Sequence, residues 1–84
     1  MEKRIGTAII QIESRKNVQA LNETISKHAS IILSRQGLPR SNGLSIISLV
    51  LEGTTDEIGS LTGQLGRIEG IQVKSALLKN KTNE

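Results

Sequence analysis

The chain has no cysteine and no aromatic residue, and only one proline, one histidine and one methionine in 84 residues. The missing cysteines exclude disulfides and thiolate metal sites. One histidine with dispersed carboxylates cannot build a tetrahedral zinc site within a single chain, so no metal and no cofactor is expected. Without aromatics there is no stacking platform for single-stranded nucleic acid and no cage for a cationic ligand. Long apolar runs are missing too. The apolar stretch at 5–12 is broken by Gly6, Thr7 and Gln11, so it is neither a membrane span nor a signal-peptide core. The expected setting is the cytoplasm, with no membrane partner.

At this length a domain buries only about 60–65% of its unfolded surface. Small scaffolds without disulfides or metals are commonly reinforced by association. The formal net charge is +3, with Lys and Arg scattered rather than blocked. That composition makes a solubility surface first and an anion-binding surface second.

What is present is a run of β-branched and helical patterns with clear punctuation. Residues 4–13, RIGTAIIQIE, have strand character. Gly6, Ala8, Ile10 and Ile12 fall on one face, and the small Gly6 and Ala8 suit it to close helix packing. Ile5, Thr7, Ile9 and Gln11 fall on the other. Ser14 or Asn17 can cap the next helix, whose stripe is Val18, Leu21, Ile25 and Ala29 and which should end near His28. A second strand is expected over 30–38 and a loop over 37–43. A third strand follows over 44–52, apolar on both faces: Leu44, Ile46 and Val50 against Ile47, Leu49 and Leu51. Thr54 and Glu57 make a capping box that opens a second helix, with Ile58, Leu61, Leu65 and Ile68 on its buried stripe. Gly70 is placed to stop it, before a fourth strand over 71–78. Residues 80–84 read as a polar tail on an ordered core of about 4–79.

The order β-α-β-β-α-β predicts one α+β domain over 1–84. The architecture is a ferredoxin-like sandwich, with a four-stranded antiparallel sheet and two helices on one face. Helices on one side leave the other side of the sheet open, and the doubly apolar third strand implies that a partner covers it. Ile5, Ile9, Ile47 and Leu49 are the candidate association residues. The topology also gathers the loops near 14–17, 37–43 and 66–70 at one end of the sheet, beside a helix N-terminus that favours anions. Arg15, Lys16, Asn17, Arg40 and Arg67 are therefore the candidate ligand-binding residues.

Catalytic chemistry is thin. His28 has no acidic neighbour in sequence to orient it, and an imidazole near a helix end is the plainer reading. Gly59 and Gly63, four apart on a helix, lack the context of a phosphate loop and read as a place where a neighbouring backbone or helix comes close. Arg35 and Arg40 lie in a window free of acids, which suits either an anion site or a charged edge strand protected from aggregation. No helix-turn-helix signature or basic helix is present, which argues against nucleic-acid binding by a single module.

RIGTAIIQIE, Arg-Gln-Gly-Leu-Pro at 35–39 and GLSIISLVLEGTTDEIGSLTGQLGRIEGIQVKSAL at 43–77 together resemble the iron-only hydrogenase system regulator family. That family is ACT-like, and the resemblance extends to the C-terminal regulatory domain of the nickel-responsive repressor. It implies an ACT-like fold, a homo-oligomer and a role in regulating gene expression or enzyme assembly. The departures are specific. The stretch after the first strand has no glycine, which speaks against standard amino-acid binding. The repressor's histidine and cysteine ligands have no counterparts beyond His28.

The expectation is a non-enzymatic regulator that forms a homodimer or homotetramer, with a small anionic or amino-acid-like effector or a protein partner near the subunit interface. The alternatives are a nucleic-acid-associated regulator using the basic rim of the oligomer, or a purely structural assembly factor.

Overall fold

The structure, a computed structural model, describes residues 2–41 and 44–79. Residues 42 and 43 of the expected loop, and the expected tail at 80–84, lie outside the described residues.

The chain runs β1 (Arg4–Ile12), a 3-10 turn (Arg15–Asn17), α1 (Val18–Lys27), a second 3-10 turn (Ala29–Ile31), β2 (Ile32–Pro39), β3 (Ser45–Gly53), α2 (Thr55–Gly66) and β4 (Ile71–Leu77). The strands form one antiparallel sheet in the order β2-β3-β1-β4, the ferredoxin-like arrangement. Long β-branched strands pair centrally, Arg4 with Gly53 through Ile12 with Ser45. One face of that pair packs Ala8, Ile10, Ile12, Ile47, Leu49 and Leu51 against Leu21 and Ile25 of α1 and Ile58, Leu61 and Leu65 of α2. Successive strand residues point to opposite faces, so this register fixes every other residue on the far side.

Helix boundaries follow local chemistry. Ser14 Oγ accepts from the Lys16 amide (3.2 Å) and so caps the 3-10 turn, whereas Asn17 precedes α1 with no side-chain cap bond. Thr24, on the stripe's flank, is buried because its hydroxyl donates to the Ala20 carbonyl one turn back (2.9 Å). The Thr54–Glu57 capping box forms in both directions, at 3.1 and 2.8 Å. Asp56 and Glu57 add negative charge where the helix dipole is positive.

Three expected boundaries move. α2 stops at Gly66 rather than at Gly70, because the Arg67 amide turns back onto the Gln64 and Leu65 carbonyls. Gly70 (φ +85°) instead makes the turn into β4 in a left-handed conformation that favours glycine. Its carbonyl accepts from the Glu13 amide at 2.7 Å. β2, expected over 30–38, runs over Ile32–Pro39, so both its ends move, and Pro39 is tolerated because β2 is an edge strand. A bulge between Ile32 and Ser34 leaves Leu33 outside the pairing and 57% exposed.

Among the described residues no buried side-chain polar atom lacks a hydrogen-bond partner. No helix there is long and apolar enough to cross a membrane.

Candidate functional site

The register that buries Ala8, Ile10, Ile47 and Leu49 under the helices sends their neighbours to the open side. Directly paired residues share a face, so that side can be read in rows. Ile5 pairs with Glu52. Ser34, Val50, Thr7 and Ala76 form the next row, followed by Gln36, Ser48, Ile9 and Lys74. Leu38, Ile46, Gln11 and Gln72 complete it. Ile9 is 54% exposed, Leu38 56% and Leu78, just past β4, 64%. Thr7 adds no polar demand here, because its hydroxyl donates to the Leu49 carbonyl at 2.8 Å.

Two of the four expected association residues are misplaced. Ile47 and Leu49 are 6% and 0% exposed in the core, while Ile5 and Ile9 do lie on the open face. The cause is strand parity. β3 is apolar on both faces, and only its pairing with Ala8 and Ile10 decides which set meets the helices. The open-face residues missed from the sequence are Leu38, Ile46, Val50, Ala76 and Leu78. No local signal settles it: setting Gly6, Ala8, Ile10 and Ile12 beneath the helices places the β3 residues only once the register, Leu49 opposite Ala8, is known.

Two grooves cross this face. One, of about 240 Å³, is apolar and lined by Ile5, Gly6, Thr7, Val50, Ala76 and the two leucines Leu77 and Leu78. The other, of about 280 Å³, is lined by Ile9, Gln11, Ile46, Gln72 and Lys74.

The five basic-rim candidates share the expected end of the sheet. There β1 finishes beside the starts of β3 and β4, with Ile12 opposite both Ser45 and Ile71, and β2 finishes opposite Ser45. Asn17 is spent on structure: its amide donates to the Glu69 carbonyl at 2.9 Å, tying the first 3-10 turn to the turn before β4. Arg15, Lys16, Arg40 and Arg67 are exposed. Arg40 follows the end of β2, two strands from β1, roughly 10 Å away by strand spacing. Glu13 and Glu69 sit among these cations, so the rim carries mixed charge. Arg35, the other acid-free-window arginine, donates to Asn22 Oδ1 of α1 at 3.0 Å and pins the edge strand to the helix layer.

His28 joins the two helices. A carbonyl can only accept, so Nδ1–H donates to the Thr24 carbonyl (2.7 Å), and in the neutral ring the Ser60 hydroxyl donates to Nε2 (3.1 Å). Gln64 Nε2 donates to the same Ser60 oxygen at 3.0 Å. Among the described residues no carboxylate hydrogen-bonds to the ring. Among the described residues no three His, Asp or Glu side chains gather as a metal site. Gly59 and Gly63 have nothing within 4 Å of where a Cβ would stand, so the close neighbour expected there is not found among the described residues.

A two-layer ferredoxin-like sandwich with one partly apolar sheet face left open by the helices defines a small α+β module. The chain belongs to the TM1266-like family, described as "Iron-only hydrogenase system regulator, putative", whose model matches residues 4–75. It is similar to the structure of the uncharacterized protein TM1266 from Thermotoga maritima. That match has a TM-score of 0.87 and 38% identity, covering 93% of this chain and 100% of that one. The C-terminal domain of the MgtC protein from Mycobacterium tuberculosis shares the fold at 12% identity (TM-score 0.69, covering 96% of this chain and 94% of that one). So does CPII, a nitrogen regulatory PII-like protein from Thiomonas intermedia K12 solved with ADP, AMP and bicarbonate. There the identity is 9% and the TM-score 0.50, covering 94% of this chain and 100% of that one. No curated protein matches the chain.

Proposed function

We propose that this protein is a non-enzymatic, oligomeric regulatory module. Copies associate through the open sheet face, and a small effector or protein partner bound near that interface alters what the assembly controls, whether gene expression or enzyme assembly. Membership of a family described as regulators supports the regulatory half of this reading. The observation that carries the oligomeric half is the set of exposed apolar side chains spread over the face opposite the helices: Ile9, Leu38, Val50 and Leu78.

Magnitudes favour association. Fully burying one such side chain contributes about 1.5–3 kcal/mol, a large share of the total stability of a small domain. Four strands at about 4.8 Å spacing and about 3.4 Å per residue give a face of roughly 20 by 25 Å, or about 500 Å² in projection. Two such faces together reach about 1,000 Å², the lower bound for a specific interface. Because one patch would meet itself, closed two-fold pairing is the simplest assembly. The nucleic-acid alternative is weakened by Glu13 and Glu69 among the rim cations.

Multi-angle light scattering at micromolar concentration tests the reading. A mass of two or four chains is expected, falling to one chain in an Ile9→Glu, Val50→Glu double variant. A wild-type monomer would sink it.

A further inference from the structure

The second groove on the open face differs in chemistry from the apolar patch beside it. Ile9 and Ile46 form its floor, while Gln11, Gln72 and Lys74 stand round it. Gln11 pairs with Gln72 across adjacent strands, and Lys74 pairs with Ile9 one row on, so two carboxamides and an ammonium line one groove with two isoleucines. Among the described residues none of these three side chains is held by a hydrogen bond or ion pair. No carboxylate is among the described residues that line the groove.

We infer that this groove binds a small carboxylate at the subunit interface, with the Lys74 ammonium pairing the carboxylate and the Gln11 and Gln72 amides bonding the ligand's polar ends over Ile9 and Ile46. This rests on the proposal that a second copy covers the sheet. Covering the face takes Lys74 and both amides out of water, and a desolvated ammonium without an acceptor is costly. A carboxylate supplies the missing acceptor and negative charge together, through charge-assisted bonds roughly twice as strong as neutral ones. The groove's size, near the lower end for small-molecule sites, limits the ligand to a small metabolite rather than a nucleotide. The site is distinct from the basic rim: its cation is on β4 and its amides are on β1 and β4.

Isothermal titration of the full chain with glutarate, and with its neutral diamide glutaramide as control, tests the assignment, with light scattering run on the same samples. Saturable binding of glutarate but not glutaramide is expected. It should weaken roughly 10- to 100-fold in Lys74→Met, as fits loss of a charged hydrogen bond, and weaken also in Gln72→Leu. A Lys27→Gln control, at the end of α1 and outside both candidate sites, should bind as wild type. No glutarate binding, or binding lost in the rim variant Arg67→Gln and kept in Lys74→Met, overturns the site. A dimer that binds nothing overturns only the ligand assignment. A monomer that binds through Lys74 supports the site and overturns the oligomer. A monomer that binds nothing overturns both.

Discussion

Gly6 of β1 lies directly beneath Leu77 of β4: a Cβ built on Gly6 would stand 2.5 Å from Leu77 Cδ2 and 2.8 Å from the Ala76 carbonyl oxygen. A flexible leucine tip could swing aside, but the carbonyl belongs to the strand ladder and cannot move without loosening the β1–β4 pairing. The absence of a side chain at position 6 is thus what lets β4 close onto the sheet edge and form one wall of the apolar groove.

Gly6→Ala should therefore destabilise the protein by about 1–3 kcal/mol, as overpacking commonly does. For a domain of this size each kcal/mol lowers the melting temperature by about 4–8 °C. Gly59→Ala is the matched opposite. It sits in a helix with nothing near the new methyl, so it should gain up to about 1 kcal/mol from helix propensity. Thermal unfolding of the two variants at one protein concentration checks both signs. Gly59→Ala melting below wild type would mean that something outside the chain occupies that space.

The two faces of the sheet predict two kinds of loss, Leu49 of β3 lying on the helix side and Ile9 of β1 on the open side. Leu49→Ala opens a cavity in the core and should cost about 2–5 kcal/mol at any protein concentration. Ile9→Ala, on the open face, should cost little in a dilute monomer, within about 0.5 kcal/mol. Its effect should grow with protein concentration as association comes to stabilise the wild type. A concentration-independent loss in Ile9→Ala would place that residue in the fold rather than at an interface.

That contrast also marks how far the residue pattern alone could be read. Element order, the capping box at Thr54 and Glu57, the small-residue face of β1 and the shared end of the sheet were all legible, because each depends on a local period or on a side chain's reach to nearby backbone. Strand parity in β3 was not, since both its faces are apolar and only the long-range pairing of Leu49 with Ala8 settles the matter. Asn17 was legible as polar and near a helix start. Its partner, the Glu69 carbonyl, lies 52 residues away, so its structural use was hidden. Gly70 read as a helix stop because glycine endings and glycine turns look alike without φ.

Removing the α2 cap isolates a local term. Thr54→Ala deletes the acceptor for the Glu57 amide and leaves only the other half of the box, the bond from the backbone amide of residue 54 to the Glu57 carboxylate. The expected cost is about 0.5–2 kcal/mol, read as a lower urea midpoint with an unchanged m-value. Thr54→Ser should recover most of it. A changed m-value would show that more than the cap had moved.

The His28–Ser60 contact separates a clamp from a catalyst. The ring spans α1 and α2 through the Thr24 carbonyl and Ser60, and Gln64 completes the chain of bonds. A Ser–His pair can resemble a nucleophile and its base, but a working pair also needs a site where donors stabilise the reacting oxygen. The grooves lined by open-face residues are on the opposite side of the sheet from these helices. His28→Ala should cost about 1–2 kcal/mol, from two partly exposed bonds each worth about 0.5–1.5 kcal/mol. Ser60→Ala should cost less, because Gln64 and the ring can turn to water. In a double-mutant cycle the two losses should be less than additive, since both remove one shared bond. With 4-nitrophenyl acetate or acetyl phosphate, wild type and both variants should hydrolyse substrate at one common background rate. A wild-type rate well above both variants would make this pair a catalytic dyad and the protein an enzyme.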